Sequence, residues 1–182
     1  FTNTNYDVFY LEKHKKRAVA FLKNFDSKDI VIGLNISGSS YEKRISDNDM
    51  DKIITGLYSI SQNIKIILLH KPESRQSINK LITQDKTSYV LPSYPTNSIL
   101  DVAALVNLLD LLITPDTSLV HIACAFNKPL LAIYRNDKIA FEAWHPKSNN
   151  HHVVFSNEIN SLNSIDTDQV ISKSFDLISE YA

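Results

Sequence analysis

Short apolar segments alternate with amphipathic ones along most of the chain. The apolar segments are rich in isoleucine, leucine and valine, and they predict buried strands at residues 29–36, 64–69, 88–91, 111–113, 130–134 and 153–155. Periodic apolar spacing predicts helices at residues 6–25, 47–61, 73–83, 98–107, 117–126 and 166–180. Such alternation is typical of a parallel sheet covered by helices on both faces, so the expected fold class is α/β.

The composition is ordinary for a soluble globular protein and limits the partners. The 182 residues suffice for one well-packed domain, and the formal net charge of -1 does not favour binding to nucleic acid. The single cysteine, Cys124, excludes an intrachain disulfide and fits a reducing, cytoplasmic compartment. No transmembrane segment or signal peptide is expected, because polar residues interrupt the most apolar stretch, residues 99–113.

The start of the sequence suggests a piece of a longer protein. It begins with Phe1 instead of methionine, and residues 1–5 are polar. We therefore expect residues 1–28 to form a helix and linker after an N-terminal domain, and residues 29–182 to form a second domain. The lysine-rich face of the first helix is more typical of a solvated surface than of a membrane contact.

The segment 114–123 carries the strongest sign of a ligand site. A predicted strand stops near a proline, Thr117 and Ser118 open a helix, and His121 follows one turn later. The first-turn N–H groups, that of Leu119 included, together with the hydroxyls and the imidazole, suit a phosphate or diphosphate. Asp116 is expected to cap the helix or to brace the loop. Alone, such a turn favours a capped core helix with a buried histidine. Together with the preceding strand and the following residues 127–129, it favours a binding site.

A second loop, residues 37–46, follows the first predicted strand and should reach the same edge of the sheet. Gly38 permits a tight or left-handed turn, and Ser39 and Ser40 add hydroxyl donors. Lys43 or Arg44 can supply the positive charge that a diphosphate needs. An ordinary solvated loop explains this segment alone equally well.

The pattern Asp116-Thr117-Ser118-x-x-His121, followed by residues 125–130, resembles the signature of glycosyltransferase family 9, the ADP-heptose heptosyltransferases of lipopolysaccharide synthesis. The resemblance runs from about residue 30 to residue 146. It implies one of two Rossmann-like domains in a GT-B glycosyltransferase, namely the C-terminal, donor-binding domain. By the same resemblance Lys43 matches the lysine that contacts phosphate. The usual Trp-Pro is replaced by Ile45-Ser46, which leaves Lys43 and Arg44 both open.

The resemblance also implies a reaction. Family members transfer a sugar with inversion and without metal, while ADP leaves. Their general base is a carboxylate of the other domain, so no catalytic residue is expected in this chain, and the chain alone should bind donor without turnover. The acceptor, lipid A carrying core oligosaccharide, would bind through that other domain at the inner face of the inner membrane.

Three further residues are expected near the nucleoside or the sugar by the same resemblance. Glu73 lies in a region that approaches adenosine in related enzymes, although a first-turn carboxylate of a helix explains it equally well. Asp137 and Trp144 lie in a segment, predicted to be irregular, that follows the last core strand of the family. Both are expected to flank the sugar or the base.

Neither a metal nor another cofactor is expected. Asp49-Met50-Asp51 opens a predicted helix, where acidic residues are favoured by the dipole, and His151-His152 has no partner at ligand spacing. Three glycines are too few for a dinucleotide fingerprint or a Walker loop. A response-regulator receiver is disfavoured because the first strand ends in Leu34-Asn35-Ile36-Ser37, without the acidic pair that a receiver needs there. The remaining alternatives are a stand-alone nucleotide-binding module and a family 9 enzyme that uses another nucleotide sugar.

Overall fold

The computed structural model describes residues 7–38 and 40–181. The strands are β1 (Ile30–Asn35), β2 (Ile64–Leu69), β3 (Val90–Pro92), β4 (Leu111–Pro115), β5 (Leu130–Tyr134) and β6 (His151–Phe155). The helices are α1 (Glu12–Leu22), α2 (Asp47–Ile60), α3 (Arg75–Leu81), α4 (Ile99–Val106), α5 (Ser118–Ala125), α6 (Lys138–Trp144) and α7 (Thr167–Tyr181). Single 3-10 turns lie at Tyr41–Lys43, Pro72–Ser74 and Gln84–Lys86.

The six strands form one parallel sheet in the order β3-β2-β1-β4-β5-β6. This is the strand order of doubly wound nucleotide-binding folds, in which the chain reverses its direction of growth between β1 and β4. The predicted Rossmann-like α/β fold is confirmed. The structure also places the carboxyl ends of β1 and β4 side by side, as the sequence led us to expect.

Alternate side chains of the strands enter two separate cores. Ile32 and Leu34 of β1 belong to the core that α2 and α7 cover, whereas Val31 faces the core beneath α1, α4 and α5. Burying each such leucine or isoleucine stabilises the fold by roughly 1.5–3 kcal/mol relative to exposure. Both faces of the sheet are therefore covered, and its carboxyl edge is left for ligands.

The segment after β5 was predicted to be irregular, and that prediction is wrong. Residues Lys138–Trp144 form α6, whose N-cap Asp137 accepts a hydrogen bond from the Ala140 N–H at 3.1 Å. Phe141 packs edge-on against the ring of Tyr134 with centroids 5.0 Å apart. Since the helix has only seven residues and both Ile139 and Trp144 are exposed, it lacks the periodicity that identifies longer helices. The first helix begins at Glu12, and Tyr6 lies outside the described residues.

Candidate functional site

Two loops meet at the point where the sheet changes direction. The loop after β1 ends where the Ile45 N–H donates to the Ile36 carbonyl at 3.0 Å, and β4 leads directly into α5. Parallel strands present their carboxyl ends at one edge, and neighbouring strands whose helices cover opposite faces leave a crevice there. The expected juxtaposition of the loops is therefore present in the fold.

A buried polar network joins the ends of these two strands. The amide of Asn35 donates to Thr114 Oγ1 at 3.0 Å and to the Ser37 carbonyl at 3.1 Å, while its oxygen accepts from the Ser37 N–H at 3.1 Å. Thr114 Oγ1 lies 3.2 Å from Thr117 Oγ1. The network fixes both loops relative to each other. The sequence analysis did not predict this network, although polar residues at the ends of otherwise apolar strands could have indicated it.

The first turn of α5 begins at Thr117. Its hydroxyl oxygen accepts from the Leu119 N–H at 3.3 Å, which makes Thr117 the N-cap, and Ser118 is exposed beside it. Because first-turn N–H groups carry the positive end of the helix dipole, this turn favours an anionic ligand. Asp116 does not cap the helix, so the second of its two expected roles is the one observed.

That role is an ion pair between the loops. Lys43 Nζ donates to Asp116 Oδ2 at 2.8 Å, and both side chains are largely but not fully buried. Arg44 instead pairs with Asp47 at the start of α2. Of the two basic residues that the sequence left open, the structure places Lys43 beside the first turn of α5.

Gly38 allows a close approach of two backbone segments. The sequence predicted a tight or a left-handed turn here, and no described glycine has a positive φ angle, so the left-handed alternative is wrong. A Cβ atom at Gly38 would instead lie 2.2 Å from the Lys43 carbonyl oxygen and 2.5 Å from its carbonyl carbon. Only glycine allows the loop to fold back this closely on Lys43.

We expect Gly38→Ala to lower the affinity for pyrophosphate, the type of anion that the sequence predicts for this loop, about fivefold, because the new methyl group forces the Lys43 backbone outward. Gly56→Ala is the matched control, since there the added Cβ meets the flexible end of the Ile171 side chain, remote from the loops. Calorimetric titration of both variants with pyrophosphate gives the comparison. Equal affinities in the two variants would show that the close approach at Gly38 does not position the site.

His121 lies one turn into α5 and is half-buried. Burial lowers the pKa of its imidazole, the carboxylate of Asp116 partly opposes that effect, and Lys147 adds slightly to it. The His121 ring centroid lies 5.9 Å from that of the Trp144 ring. Burial therefore favours the neutral imidazole of His121, which lies in α5 close to the residue that ends α6.

A cavity of about 600 Å³ opens beside this turn. It extends from Thr117, Ser118 and Leu119 of α5 across the ends of β1, β2 and β3 to α4. Apolar side chains contribute much of its wall, and buried polar residues line it as well. The apolar ones include Leu69, Ile99, Val102 and Leu105, and the buried polar ones are Asn35, His70, Ser93 and Thr96. A volume of this size suits a nucleoside.

Comparison with known proteins identifies the family. The sequence model described as "Glycosyltransferase family 9 (heptosyltransferase)" matches residues 3–173. The chain belongs to glycosyltransferase family 9. No curated protein sequence matches this family 9 chain significantly.

Solved structures share its fold. A family 9 glycosyltransferase from Veillonella parvula has a TM-score of 0.82 and 21% identity, covering 98% of this chain and 55% of that chain. The ADP-heptose LPS heptosyltransferase II of E. coli has a TM-score of 0.76 and 17% identity, covering 96% and 54%. The E. coli heptosyltransferase WaaC with ADP has a TM-score of 0.67 and 20% identity, covering 91% and 48%. The family 9 chain spans about half the length of these structures.

The remaining predicted site residues of this family 9 chain lie on several different elements. Glu73 is exposed in the 3-10 turn before α3, next to cavity-lining Pro72. Asp137 caps α6, and Trp144 ends it. The Ser40 carbonyl accepts a hydrogen bond from the Lys43 N–H at 3.2 Å, whereas Ser39 lies outside the described residues. Contacts of these residues with a nucleoside or sugar stay predictions.

The described ranges 7–38 and 40–181 of the family 9 chain contain no group of three histidine, cysteine, aspartate or glutamate side chains that can hold a metal ion. None of their helices combines the length and the apolar character needed to cross a bilayer.

Proposed function

We propose that this chain is the donor-binding domain of an inverting glycosyltransferase that uses ADP-heptose in lipopolysaccharide core synthesis. The observation that carries the proposal is the position of Lys43, held by Asp116 within reach of the first turn of α5 in a family 9 fold. A lysine ammonium and a helix N-terminus together provide a site for a diphosphate.

The leaving group of the proposed reaction explains why cationic and hydrogen-bonding groups surround the first turn of α5. As the bond between the anomeric carbon and the β-phosphate oxygen breaks, negative charge develops on the departing ADP. Lys43, the hydroxyls of Thr117 and Ser118, and His121 would stabilise that charge in a preorganised site. A bound donor would add phosphate oxygens as partners of the Lys43 ammonium, which has three N–H donors, while Asp116 keeps that ammonium in place.

The cavity beside α5 provides room for the nucleoside. Its apolar wall suits the faces of a purine, and the polar lining residues, such as His70 and Ser93, suit hydrogen bonding to a base or a ribose. Glu73 at its rim is the proposed ribose contact. Adenine as the base is supported by the ADP in the name of the solved E. coli heptosyltransferase.

The general base and the acceptor site belong, in this proposal, to a second domain of the whole enzyme, acting at the inner face of the inner membrane. The test is a transfer assay with ADP-heptose and a lipid A acceptor that carries the inner core. We expect heptosylated acceptor and ADP from the full natural protein, without added metal, and neither product from residues 1–182 alone. Transfer by the isolated chain would contradict the assignment of the base to another domain.

Binding of ADP should depend on the protonation of His121. Burial lowers its pKa in the free chain, and a bound diphosphate favours the imidazolium and raises that pKa. Protons are then taken up on binding, so ADP affinity rises as the pH falls from about 8 to about 6. Titrations over this range, repeated with His121→Gln, separate the contribution of the histidine from the titration of ADP itself. Equal slopes in the two proteins would remove His121 from the diphosphate site.

A further inference from the structure

Trp144 presents an exposed indole beside the proposed diphosphate site. It is the only tryptophan of the sequence, and its side chain is 56% exposed. Its ring lies 5.9 Å, centroid to centroid, from that of His121, at an interplanar angle of 56°. One edge of the indole therefore approaches a residue of the site while much of its surface remains open to a ligand.

The structure fixes the backbone that carries this ring. The buried hydroxyl of Tyr134, at the end of β5, donates to the Trp144 carbonyl at 2.8 Å. Asp137 caps α6 at its other end, and Phe141 of the helix packs against Tyr134. Because the backbone is already ordered, only the side-chain torsions of the indole lose freedom when a ligand stacks on it.

The strand order determines which part of a donor can reach this ring. The cavity lies towards β1, β2 and β3, on one side of the first turn of α5. Trp144 ends the helix that follows β5, on the opposite side of β4. A donor whose nucleoside fills the cavity and whose diphosphate sits at α5 therefore extends its sugar towards β5 and α6.

We propose that Trp144 is the stacking platform for the donor sugar and that it discriminates ADP-heptose from ADP. This inference rests on the proposed function and deepens it. The C–H groups on one face of a pyranose pack against an indole, while the hydroxyls at the ring edge stay available for hydrogen bonds. Asp137 is committed to capping α6 through its side chain, so its part is to support the platform.

The test compares ADP with ADP-heptose on the unaltered chain and on Trp144→Ala. We expect Trp144→Ala to bind ADP-heptose about three- to tenfold more weakly and to bind ADP unchanged. Trp144→Phe should retain most of the affinity for the sugar nucleotide. Ile139→Ala, at another exposed apolar residue of α6, is the matched control and should change neither affinity.

Tryptophan fluorescence, excited at the red edge where the eight tyrosines absorb little, provides a second readout, because Trp144 is the only tryptophan of the sequence. Saturating ADP-heptose should alter the emission far more than saturating ADP. The proposed stacking on Trp144 is contradicted if Trp144→Ala binds ADP-heptose as tightly as the unaltered chain, or if both ligands change the fluorescence equally. Failure of the unaltered chain to bind ADP at all would instead overturn the proposed function, and the platform with it.

Discussion

Lys43→Ala should weaken ADP binding about tenfold or more, which corresponds to a loss of about 1.4 kcal/mol or more. The substitution has two electrostatic consequences for a bound diphosphate. The ammonium that would contact the diphosphate is removed, and the carboxylate of Asp116, now 2.8 Å from Lys43 Nζ, is left facing the ligand without compensation. Isothermal titration calorimetry at low salt measures the effect, since screening weakens such contacts.

The neighbouring residue provides the control. Arg44→Ala removes the same charge one position along the chain, but Arg44 pairs with Asp47 away from α5, so we expect a change of less than about twofold. The double variant Lys43→Ala/Asp116→Asn should recover part of the loss, because the repulsive carboxylate is gone. An Arg44→Ala effect as large as that of Lys43→Ala would mean that the loop binds phosphate through Arg44.

Thr114→Val should lower the free energy of unfolding by about 1–3 kcal/mol. Valine has nearly the same shape, so no cavity is created, but the buried amide of Asn35 loses one of its two acceptors and Thr117 loses its neighbouring hydroxyl. Urea denaturation measures the change, and the same variant should also weaken ADP binding because the loops are no longer tied together.

Thr87→Val is the appropriate control for that substitution. Its hydroxyl donates to the Gln84 carbonyl in an exposed turn, where water can replace the bond, so we expect a change within about 0.5 kcal/mol. Equal destabilisation by the two substitutions would show that the strand-end network contributes nothing beyond an ordinary surface hydrogen bond.

The sequence predicted the sheet well because its strands are nearly continuous apolar runs. β2 and β5 were located to the residue, since buried parallel strands leave few polar interruptions. β4 continues to Pro115, two residues further than predicted, because a proline is tolerated where a strand ends. The short α6 was missed because its stability comes from a cap and from packing on Tyr134, which local periodicity does not report.

The candidate site was only partly accessible to sequence reasoning. The Thr117-Ser118 turn and the loop with Lys43 were identified from residue types, and parallel topology predicted their approach. The pairing of Lys43 with Asp116 spans 73 positions, and nothing local encodes it. The same holds for the contact between His121 and Trp144, and for the cavity wall contributed by α4.

The most direct test of the proposed donor site is calorimetric titration of the chain with ADP, with UDP and GDP as controls and without added metal. We predict that ADP binds at one site, more tightly than UDP or GDP, and that Lys43→Ala weakens that binding while Arg44→Ala does not. Binding of all three nucleotides with equal affinity, or ADP binding that is insensitive to Lys43→Ala, would contradict the claim that this domain holds an ADP-linked donor at the first turn of α5.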